Sequence, residues 1–543
     1  MGTSPAICQN FVISTAAREV AARHTVTGMW GAGDRRAAAV GAGTSVLGLG
    51  AGHLVAAYVD PGASPVLAVG GAVIDFTPLW LKEWAVATLG TADKPVLVAG
   101  VVLLVLALGG LAGVLQARTG RGSWLLVALA GIAALAAITR PATGSYAVLP
   151  ALLASVTALA ALRVPRRPAP TQLPAAVHDD IPPAAVTDPG AERRTVLLAA
   201  GTTAAGAGLA YLGVRVNAPA TSDAATLVLP RPASPLPSLP AGLERSVPGL
   251  TPLRTPVADF YRIDTALGIP RVDAATWRLR IDGDVEHPYE LSFAELVRLP
   301  MIEADITLNC VSNPVGGEYV GSTRWLGVPT RELLARAGVR PGVEQLLCTS
   351  QDGMTISTPL AALTDDRGAM LAVAMDGKPL PRRHGYPVRM ITPGLYGYVG
   401  ATKWLTRMTA TTYADSKAYW STRGWAEQAP VKTQSRIDVP RSSEQFSAGG
   451  EVVIAGVAWS QAHHGISRVE VQVDDGDWHE ADLGPDVGGH YWRQWRWTWR
   501  ATAGEHRITV RATDGESTRQ TTTVAEPAPD GASGLHTIEI SVS

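Results

Sequence analysis

The sequence predicts a multidomain protein with an N-terminal transmembrane bundle of about five α-helices, a soluble α+β domain and a C-terminal immunoglobulin-like β-sandwich. Long apolar stretches are confined to residues 1–215 of the 543-residue chain. From residue 256 the composition becomes that of a soluble domain, and after residue 451 short alternating strands recur between turn signals. A chain of this length needs more than one core. Its net charge of −1 gives no indication of nucleic acid binding.

The apolar part of the chain contains five stretches long enough to span a bilayer. They are residues 37–59, 95–116, 123–139, 145–162 and 195–214. Arginines flank alternate ends of these stretches, at Arg35, Arg118, Arg163 and Arg193 among others. Because basic loops remain cytoplasmic, this pattern predicts a multi-pass protein of the cell membrane, in contact with lipid, with its N-terminus inside and the chain beyond residue 214 outside. The shorter apolar segment 66–76 is interpreted as an interfacial or re-entrant piece.

Composition shifts then divide the rest of the chain. Residues 1–36 form an N-terminal segment, and residues 37–163 carry the first four predicted helices. The remaining predicted segments are a cytoplasmic linker (164–194), a fifth helix (195–215), a Pro-rich tether (216–256), an α+β domain (257–428) and a β-sandwich (429–543). Within the α+β domain, Ser292 followed by Glu295 predicts a capping box at a short helix.

One cysteine lies at a position suited to chemistry. Residues 306–308 read as a short apolar strand, and Cys310 follows where the strand becomes a Gly- and Pro-containing loop. Loops carried by a rigid sheet often present ligands, and a thiolate suits a soft or redox metal. Cys348, in the apolar run 345–348, is predicted to be a buried strand residue.

The segment TLNCVSN, followed by RWLGVPTRELL and later by GKPLPRRHGYPVRMITPGLYGYVGATKWL, resembles the sulfite oxidase family of molybdopterin-dependent oxidoreductases. The resemblance covers roughly residues 259–543 and is strongest to membrane-anchored actinobacterial members. It implies that the α+β domain has the sulfite oxidase fold and binds molybdenum as Mo-molybdopterin. It also implies that Cys310 is the metal ligand, and that the sandwich follows the cofactor domain and makes a homodimer.

The resemblance also implies further site residues. Residues on cofactor-binding segments are Tyr261, Arg262, Ser350, His384, Arg389, Ala401, Thr402 and Lys403. A large anionic cofactor with a phosphate end needs cationic side chains, and His384, Arg389 and Lys403 supply them. Arg262 and Arg493 match cationic positions of the substrate pocket, and Arg324 is a further candidate, with a fold-stabilising ion pair as the equal alternative.

The predicted substrate pocket departs from that of true sulfite oxidases. Where the family carries an Arg pair after the cysteine, this chain has Pro314 and Val315, and Met354 takes the place of a Tyr. The reaction implied is oxygen-atom transfer on a small oxyanion or oxide of sulfur or nitrogen. Sulfite oxidation and S-oxide (methionine sulfoxide) reduction both remain open, and the electron partner is an unidentified cytochrome or quinone-linked carrier. Two other classes stay open at this point: a non-catalytic membrane-anchored binding protein and a Cys-dependent transferase.

Overall fold

The computed structural model describes residues 31–140, 144, 146–163, 189–217 and 227–543. It consists of two compact units, Met1–Ala218 and Pro219–Ser543. Most of the predicted N-terminal segment and of the cytoplasmic linker, as well as residues 218–226 of the predicted tether, lie outside the described residues.

The first unit is helical in its described part. Its α-helices are α1 (Ala32–Val59), α2 (Pro65–Phe76), α3 (Leu79–Leu89), α4 (Asp93–Thr119), α5 (Gly122–Ile138), α6 (Leu149–Leu162) and α7 (Pro189–Asn217). Helix α1 is central and packs against α4, α6 and α7.

Small residues bring these helices together. A Cβ added at Gly41 would overlap the backbone of Gly109 and Gly113, and one at Gly50 would overlap the backbone of Gly206. Such close backbone approach is the usual basis of helix association where lipid removes the hydrophobic drive between helices. The glycine-rich sequence of α1 therefore explains why it occupies the centre.

Three described helices are long and apolar enough to cross a membrane: Ala32–Val59, Asp93–Thr119 and Arg193–Val216. Helices α5 and α6, with 17 and 14 residues, are shorter than that limit. Each of the five predicted spans contains a helix, but the count of five spans stays a prediction. Helix α2 has 12 residues, about 18 Å at 1.5 Å per residue, and is too short to span a bilayer unaided.

Two ion pairs join helix ends, and they show which ends lie on the same face of the first unit. Asp34, at the start of α1, pairs with Arg118 at the end of α4 at 2.6 Å. Asp60, just after α1, pairs with Arg140, just after α5, at 3.3 Å. The ends of α4 and α5 therefore lie on opposite faces of the unit, as the alternating arginine pattern predicts.

Over its described residues, 227–543, the second unit contains four β-sheets. Its strands are β1 (Arg278–Gly283), β2 (Tyr289–Ser292), β3 (Ile302–Asn309), β4 (Val320–Pro329), β5 (Gln345–Ser350), β6 (Thr355–Pro359), β7 (Met370–Met375), β8 (Lys378–Pro379), β9 (Arg389–Ile391), β10 (Leu405–Thr411), β11 (Gln434–Val439), β12 (Gln445–Phe446), β13 (Glu451–Trp459), β14 (Ile466–Val473), β15 (Trp478–Glu480), β16 (Asp482–Leu483), β17 (Arg493–Arg500), β18 (Gly504–Asp514) and β19 (His536–Val542). Its short α-helices are α8 (Phe293–Leu296), α9 (Thr330–Ala337), α10 (Leu360–Thr364) and α11 (Gly397–Gly400).

Two of these sheets form the α+β domain, in the orders β2-β1-β10-β5-β6 and β3-β4-β7-β8, with β9 paired to β7. Strand β7 is buried along its whole length, and Trp325 of β4 is fully buried beside it. The capping box at Ser292 and Glu295 is confirmed, as is Cys348 as a buried residue of β5. Helix α9 begins at Thr330, whose hydroxyl donates to Leu363 O at 2.7 Å.

The other two sheets form the predicted sandwich, in the orders β11-β13-β17-β16 and β12-β19-β18-β14-β15. Buried side chains from both sheets fill its core, among them Trp495, Ile454 and Val510. The segment before β17 contacts the α+β domain at β3: Thr307 N donates to His490 O at 2.9 Å, and Trp492 N donates to Thr307 Oγ1 at 2.8 Å.

The described part of the predicted tether is attached to this second unit. Thr255 N donates to Ser322 O in the α+β domain at 2.8 Å. Leu253 O accepts from the indole of Trp492 in the sandwich at 2.7 Å, and its own side chain is buried. Residues 242–256, which we call the strap, therefore run between the two domains and contact both.

Gly206 and Gly201 of α7 provide a matched test of the glycine packing. A Cβ at Gly206 would overlap the backbone of Val46 and Leu47, whereas one at Gly201 meets nothing within 4 Å. We expect Gly206→Ala to lower the melting temperature of the full chain in detergent, since overpacking typically costs about 1–3 kcal/mol. Gly201→Ala should leave it unchanged or raise it, because Ala is the better helix former by roughly 0.5–1 kcal/mol. Equal effects of the two changes would contradict the packing described here.

Candidate functional site

Cys310 follows directly on β3, at the start of a loop that returns to β4. Its backbone N donates to Tyr319 O at 2.9 Å, which continues the β3–β4 ladder by one step. The side chain is buried, with 9% exposure. Burial raises the pKa of the thiol, while donors from Ser312 and the cation of Lys403 act in the opposite direction. Donors and a cation facing a buried sulfur would stabilise a thiolate once a metal replaced its proton.

Lys403 is the cation whose charge favours the thiolate of Cys310. It follows α11, and its ammonium pairs with Asp264 at 2.6 Å and donates to Ile263 O at 3.2 Å. The same carboxylate accepts from Arg262 Nε at 2.9 Å. Burial lowers the pKa of Lys403 to about 8, against the opposing effect of Asp264. One buried carboxylate therefore fixes two of the predicted site cations in place.

Arg389 lies on the first position of β9 and is buried, with 6% exposure. Its Nη1 donates to His384 O at 3.0 Å, but its Nε has no hydrogen-bond partner among the described residues. No carboxylate of residues 227–543 pairs with it, and its guanidinium lies 5.2 Å from the centre of the Trp325 ring. Burial lowers the pKa of Arg389 to about 10. This is a desolvated cation with unused hydrogen-bonding capacity, a costly arrangement in the absence of an anion.

His384 precedes Arg389 in a turn that Gly385 makes possible. Gly385 has φ of +109°, and a Cβ there would lie 3.0 Å from that of Arg389 and 3.2 Å from that of Lys403. His384 is buried and receives a hydrogen bond from Arg383 Nε on its Nε2 at 3.2 Å. Burial and the neighbouring cations lower the pKa of His384 to about 3. The imidazole is therefore neutral at physiological pH.

Two tyrosines, the partly buried Tyr261 and the buried Tyr396, are influenced electrostatically by Cys310. Burial and the electrostatic influence of Cys310 raise the pKa of Tyr261, and the same two factors contribute to the raised pKa of Tyr396. The Tyr261 ring stacks on Phe260 with centroids 5.4 Å apart. The tyrosine hydroxyls are therefore neutral at physiological pH.

The other predicted cofactor-binding residues lie on segments next to Lys403 in the sequence or in the sheet. Ser350 ends β5, next to Leu405, and Gln351 N donates to Trp404 O at 2.8 Å. Ser350 Oγ is buried without a hydrogen-bond partner in the described structure. Ala401 and Thr402 directly precede Lys403, and Ala401 O accepts from Arg389 Nη2 at 3.4 Å.

Two predicted site residues are engaged elsewhere. Arg324 donates to both carboxylate oxygens of Asp305, at 2.9 and 2.7 Å, and to the carbonyls of residues 236 and 237. Arg493 pairs with Asp486 at 2.7 Å and donates to Gly484 O at 2.8 Å, both within the sandwich. The structure thus brings together Cys310 with the predicted cofactor residues, and it gives Arg324 and Arg493 partners outside that group.

Sequence reasoning missed Asp264 and Tyr396. The signal for Asp264 was its position two residues after Arg262, which suits an ion pair in extended backbone, as observed at 2.9 Å. The signal for Tyr396 was its place within the glycine-rich segment 394–400. Without the fold, neither signal indicates that these two side chains belong to the group around Cys310.

Comparison with known proteins identifies the domains. Residues 266–420 match the family described as oxidoreductase molybdopterin binding domain, and residues 434–510 match the bacterial Ig domain family. Mitochondrial sulfite oxidase of Mus musculus is 30% identical over 316 residues, covering 48% of this chain and 56% of that protein. Sulfite oxidase of Gallus gallus is 29% identical over 307 residues, covering 48% and 66%. NADH nitrate reductase of Hordeum vulgare is 28% identical over 309 residues, covering 45% and 34%.

The chain spans about half the length of the mammalian relatives that it matches, 56% for Mus musculus. Among solved structures, the sulfane dehydrogenase SoxCD of Paracoccus pantotrophus aligns with a TM-score of 0.46 at 25% identity, covering 53% of this chain and 82% of that one. The family matches identify a molybdopterin-binding domain followed by an Ig-like domain, and together with the sulfite oxidase relatives they imply a molybdenum cofactor.

The buried residues fit such a cofactor. An anionic pterin with a phosphate end needs cations and donors that are not already satisfied. Arg389 Nε and Ser350 Oγ are buried polar atoms without partners in the described residues, and Lys403 is almost fully buried with one carboxylate to share. A soft metal would find a sulfur ligand at Cys310. The residues present therefore match the chemistry of the group.

Arg389 and Arg324 allow ligand binding to be separated from fold stabilisation. We expect Arg389→Met to leave the melting temperature of the cofactor-free chain unchanged or higher, because it removes a buried cation that has no counter-charge, while abolishing pterin binding. Arg324→Met should lower the melting temperature, since it removes partly buried hydrogen bonds to a charged group, each worth about 1.5–3 kcal/mol. It should leave pterin bound to the folded fraction.

The two measurements are thermal unfolding and pterin content by fluorescence after oxidation. Pterin retained in Arg389→Met, or lost from folded Arg324→Met, would reverse the assignment of these two arginines.

Proposed function

We propose that this chain, which carries a molybdopterin-binding oxidoreductase domain of the sulfite oxidase family, is a membrane-anchored enzyme that transfers an oxygen atom to or from a small oxide of sulfur or nitrogen. The observation that carries the proposal is the buried group of Cys310, Lys403 and Arg389, in which one guanidinium lacks any carboxylate partner among the described residues. A scaffold without a ligand would gain nothing from such a group, because an unpaired buried cation destabilises the fold.

In this proposal Cys310 binds molybdenum through its sulfur. When bound, the cofactor supplies a metal that exchanges an oxygen atom with the substrate and changes by two electrons. Arg389 and Lys403 hold the anionic part of the pterin, and Ser350, Ala401 and Thr402 offer hydroxyl and backbone contacts along it. Asp264 orients Lys403 by their 2.6 Å ion pair.

Neutral side chains complete the proposed cofactor site. With its pKa near 3, His384 acts as a neutral hydrogen-bonding group and not as a proton carrier at physiological pH. Tyr261 and Tyr396 have raised pKa values and remain protonated. These side chains add no negative charge to the proposed site of an anionic ligand.

The substrate class follows from the relatives and from the loop after Cys310. By their names, the sulfite oxidases and the nitrate reductase act on oxyanions. Arg262, which matches a cationic position of the family's substrate pocket, shares Asp264 with Lys403, the cation that acts on Cys310. Val315, which stands where sulfite oxidases carry an arginine, faces Gly534, where an added Cβ would lie 3.8 Å from Val315 Cγ2. An apolar side chain at this place favours a neutral oxide more than a dianion. S-oxide reduction is therefore the second candidate.

We further propose that the apolar helices of the first unit anchor the enzyme, with the second unit on the extracytoplasmic side. Three of these helices are long enough to span a bilayer, and basic residues lie at alternate ends. The electron partner is a cytochrome or quinone-linked carrier, and the sandwich domain is the surface proposed for homodimer formation.

Cys310→Ser tests the proposed metal ligand. We expect the full chain, produced in a host that makes the cofactor, to contain molybdenum, and Cys310→Ser to lose both metal and activity because a hydroxyl is a poor soft-metal ligand. Cys348→Ala is the matched control: Cys348 is fully buried in β5, burial raises its pKa to about 12, and its removal should leave metal content unchanged. Molybdenum bound equally by Cys310→Ser would disprove the assignment.

A substrate panel separates the two candidate reactions. Sulfite with an artificial electron acceptor, and methionine sulfoxide and related S- and N-oxides with an artificial donor, should be assayed on one preparation of known molybdenum content. We expect turnover in one direction only, and Val315→Arg should shift the preference toward sulfite by restoring a cation. A loaded enzyme that turns over neither class would contradict the proposed substrate class.

A further inference from the structure

The loop that begins at Cys310 is held by the sandwich domain, which sequence analysis connected only with dimer formation. At its base the loop continues the β3–β4 ladder. Asn313 closes it from within: its N donates to Cys310 O at 3.1 Å, and its Oδ1 accepts from Tyr319 N at 2.8 Å. At the far end, Gly317 N donates to Pro314 O at 2.9 Å and forms a tight tip. The orientation of Cys310 therefore depends on a small folded loop and not on strand β3 alone.

Arg436 of β11 binds the tip of this loop. Its Nη1 donates to Gly317 O at 2.8 Å, its Nη2 donates to Thr251 Oγ1 of the strap at 2.8 Å, and its Nε donates to Asp438 Oδ1 at 2.6 Å. Asp438 Oδ2 in turn accepts from Thr251 N at 3.1 Å. Arg436 and Asp438 are both nearly fully buried. One side chain thus joins three segments far apart in the sequence: the Cys310 loop, the strap and the first sandwich strand.

His536 supports the same tip from the other sandwich sheet. Its Nδ1 accepts from Ile437 N at 3.0 Å, which fixes the ring. Gly316 lies against this ring with φ of +75°, and a Cβ added there would overlap the imidazole. The tip therefore fits between the Arg436 guanidinium and the His536 ring, and only glycine fits at residue 316.

We propose that Arg436 is a positioning residue for Cys310, and that the Ig-like domain fixes the loop from which the metal-ligating sulfur projects. The inference rests on the proposed role of Cys310 as metal ligand. A buried, charge-assisted set of hydrogen bonds is stiff, and a ligand carried by a loop is only as well placed as the residues that support it. The sandwich then has a function within the monomer, independent of any dimer contact.

The first test measures how often the loop opens in the cofactor-free full chain. Alkylation of Cys310 is followed site by site by peptide mass spectrometry, with the buried Cys348 as an internal reference. In Arg436→Lys one ammonium replaces three directed donors, and in Gly316→Ala the loop tip collides with His536. We expect each change to raise the alkylation rate of Cys310 by about tenfold or more, as for loss of a buried charge-assisted hydrogen bond. Cys348 should keep its wild-type rate.

Gly368→Ala is the matched control for Gly316→Ala. Gly368 has φ of +79°, close to that of Gly316, but a Cβ there meets nothing within 4 Å. It reproduces the backbone strain without the collision and should leave the Cys310 rate unchanged. An unchanged Cys310 rate in both test variants, or an equal rise at Cys348, would overturn the proposal, because the latter indicates general loosening.

The second test examines the loaded enzyme. Arg436→Lys should retain pterin, because Arg389 and Lys403 are intact, but its molybdenum(V) electron paramagnetic resonance signal should broaden or divide as the sulfur takes several orientations. The turnover number should fall more than KM changes. In the double variant with Gly316→Ala the two effects on alkylation should be less than additive, since both act on the same loop tip. A wild-type signal in Arg436→Lys would contradict the proposal.

The two tests also distinguish the sources of failure. If the wild-type chain binds no molybdenum, the proposed function fails, while the alkylation result still reports on the loop. If molybdenum is bound through Cys310 but the loop variants behave as wild type, only the positioning role fails.

Discussion

The structure around Cys310 depends on burying two cations, Lys403 and Arg389, of which only Lys403 has a carboxylate partner among the described residues. Lys403 and Arg389 are desolvated, and Asp264 is the carboxylate that pairs with Lys403. Such a group opposes folding unless an anion joins it. The surrounding architecture can be understood as what keeps these charges in place: the turn at Gly385, the buried strand β7 beside β9, and the aromatic wall of Trp325.

The same principle separates the arginines of the chain into two kinds. Arg324 and Arg436 have carboxylate partners and carbonyl or hydroxyl acceptors, so they join segments of the fold. Arg389 keeps an unused Nε in a buried place, so its capacity is available to a ligand. Partner count and burial together, and not the residue type, therefore distinguish a binding arginine from a structural one.

The strap connects the Cys310 loop with the sandwich domain. Its Thr251 lies in the Arg436 contact, and its Leu253 accepts from Trp492 of the sandwich. The Pro-rich composition of residues 216–256 predicted a tether, and the described part contains no β-strand and only one short helical turn, at Leu243–Arg245. Composition does not reveal that this segment forms hydrogen bonds with two domains. Its partners lie between about 65 and 250 positions away along the sequence.

The sequence by itself determined the helical character of the N-terminal unit and the strands of the sandwich, and its resemblance to a known family indicated Cys310, His384, Arg389 and Lys403 as a candidate group. These features follow from local periodicity, turn residues and short motifs, which act within a few residues. The tertiary structure alone decided that Asp264 and Tyr396 join the group, that Arg324 is paired, and that Arg436 contacts the Cys310 loop from the sandwich. Each of these contacts depends on which partner satisfies a buried donor or charge, and that is fixed by packing between distant segments.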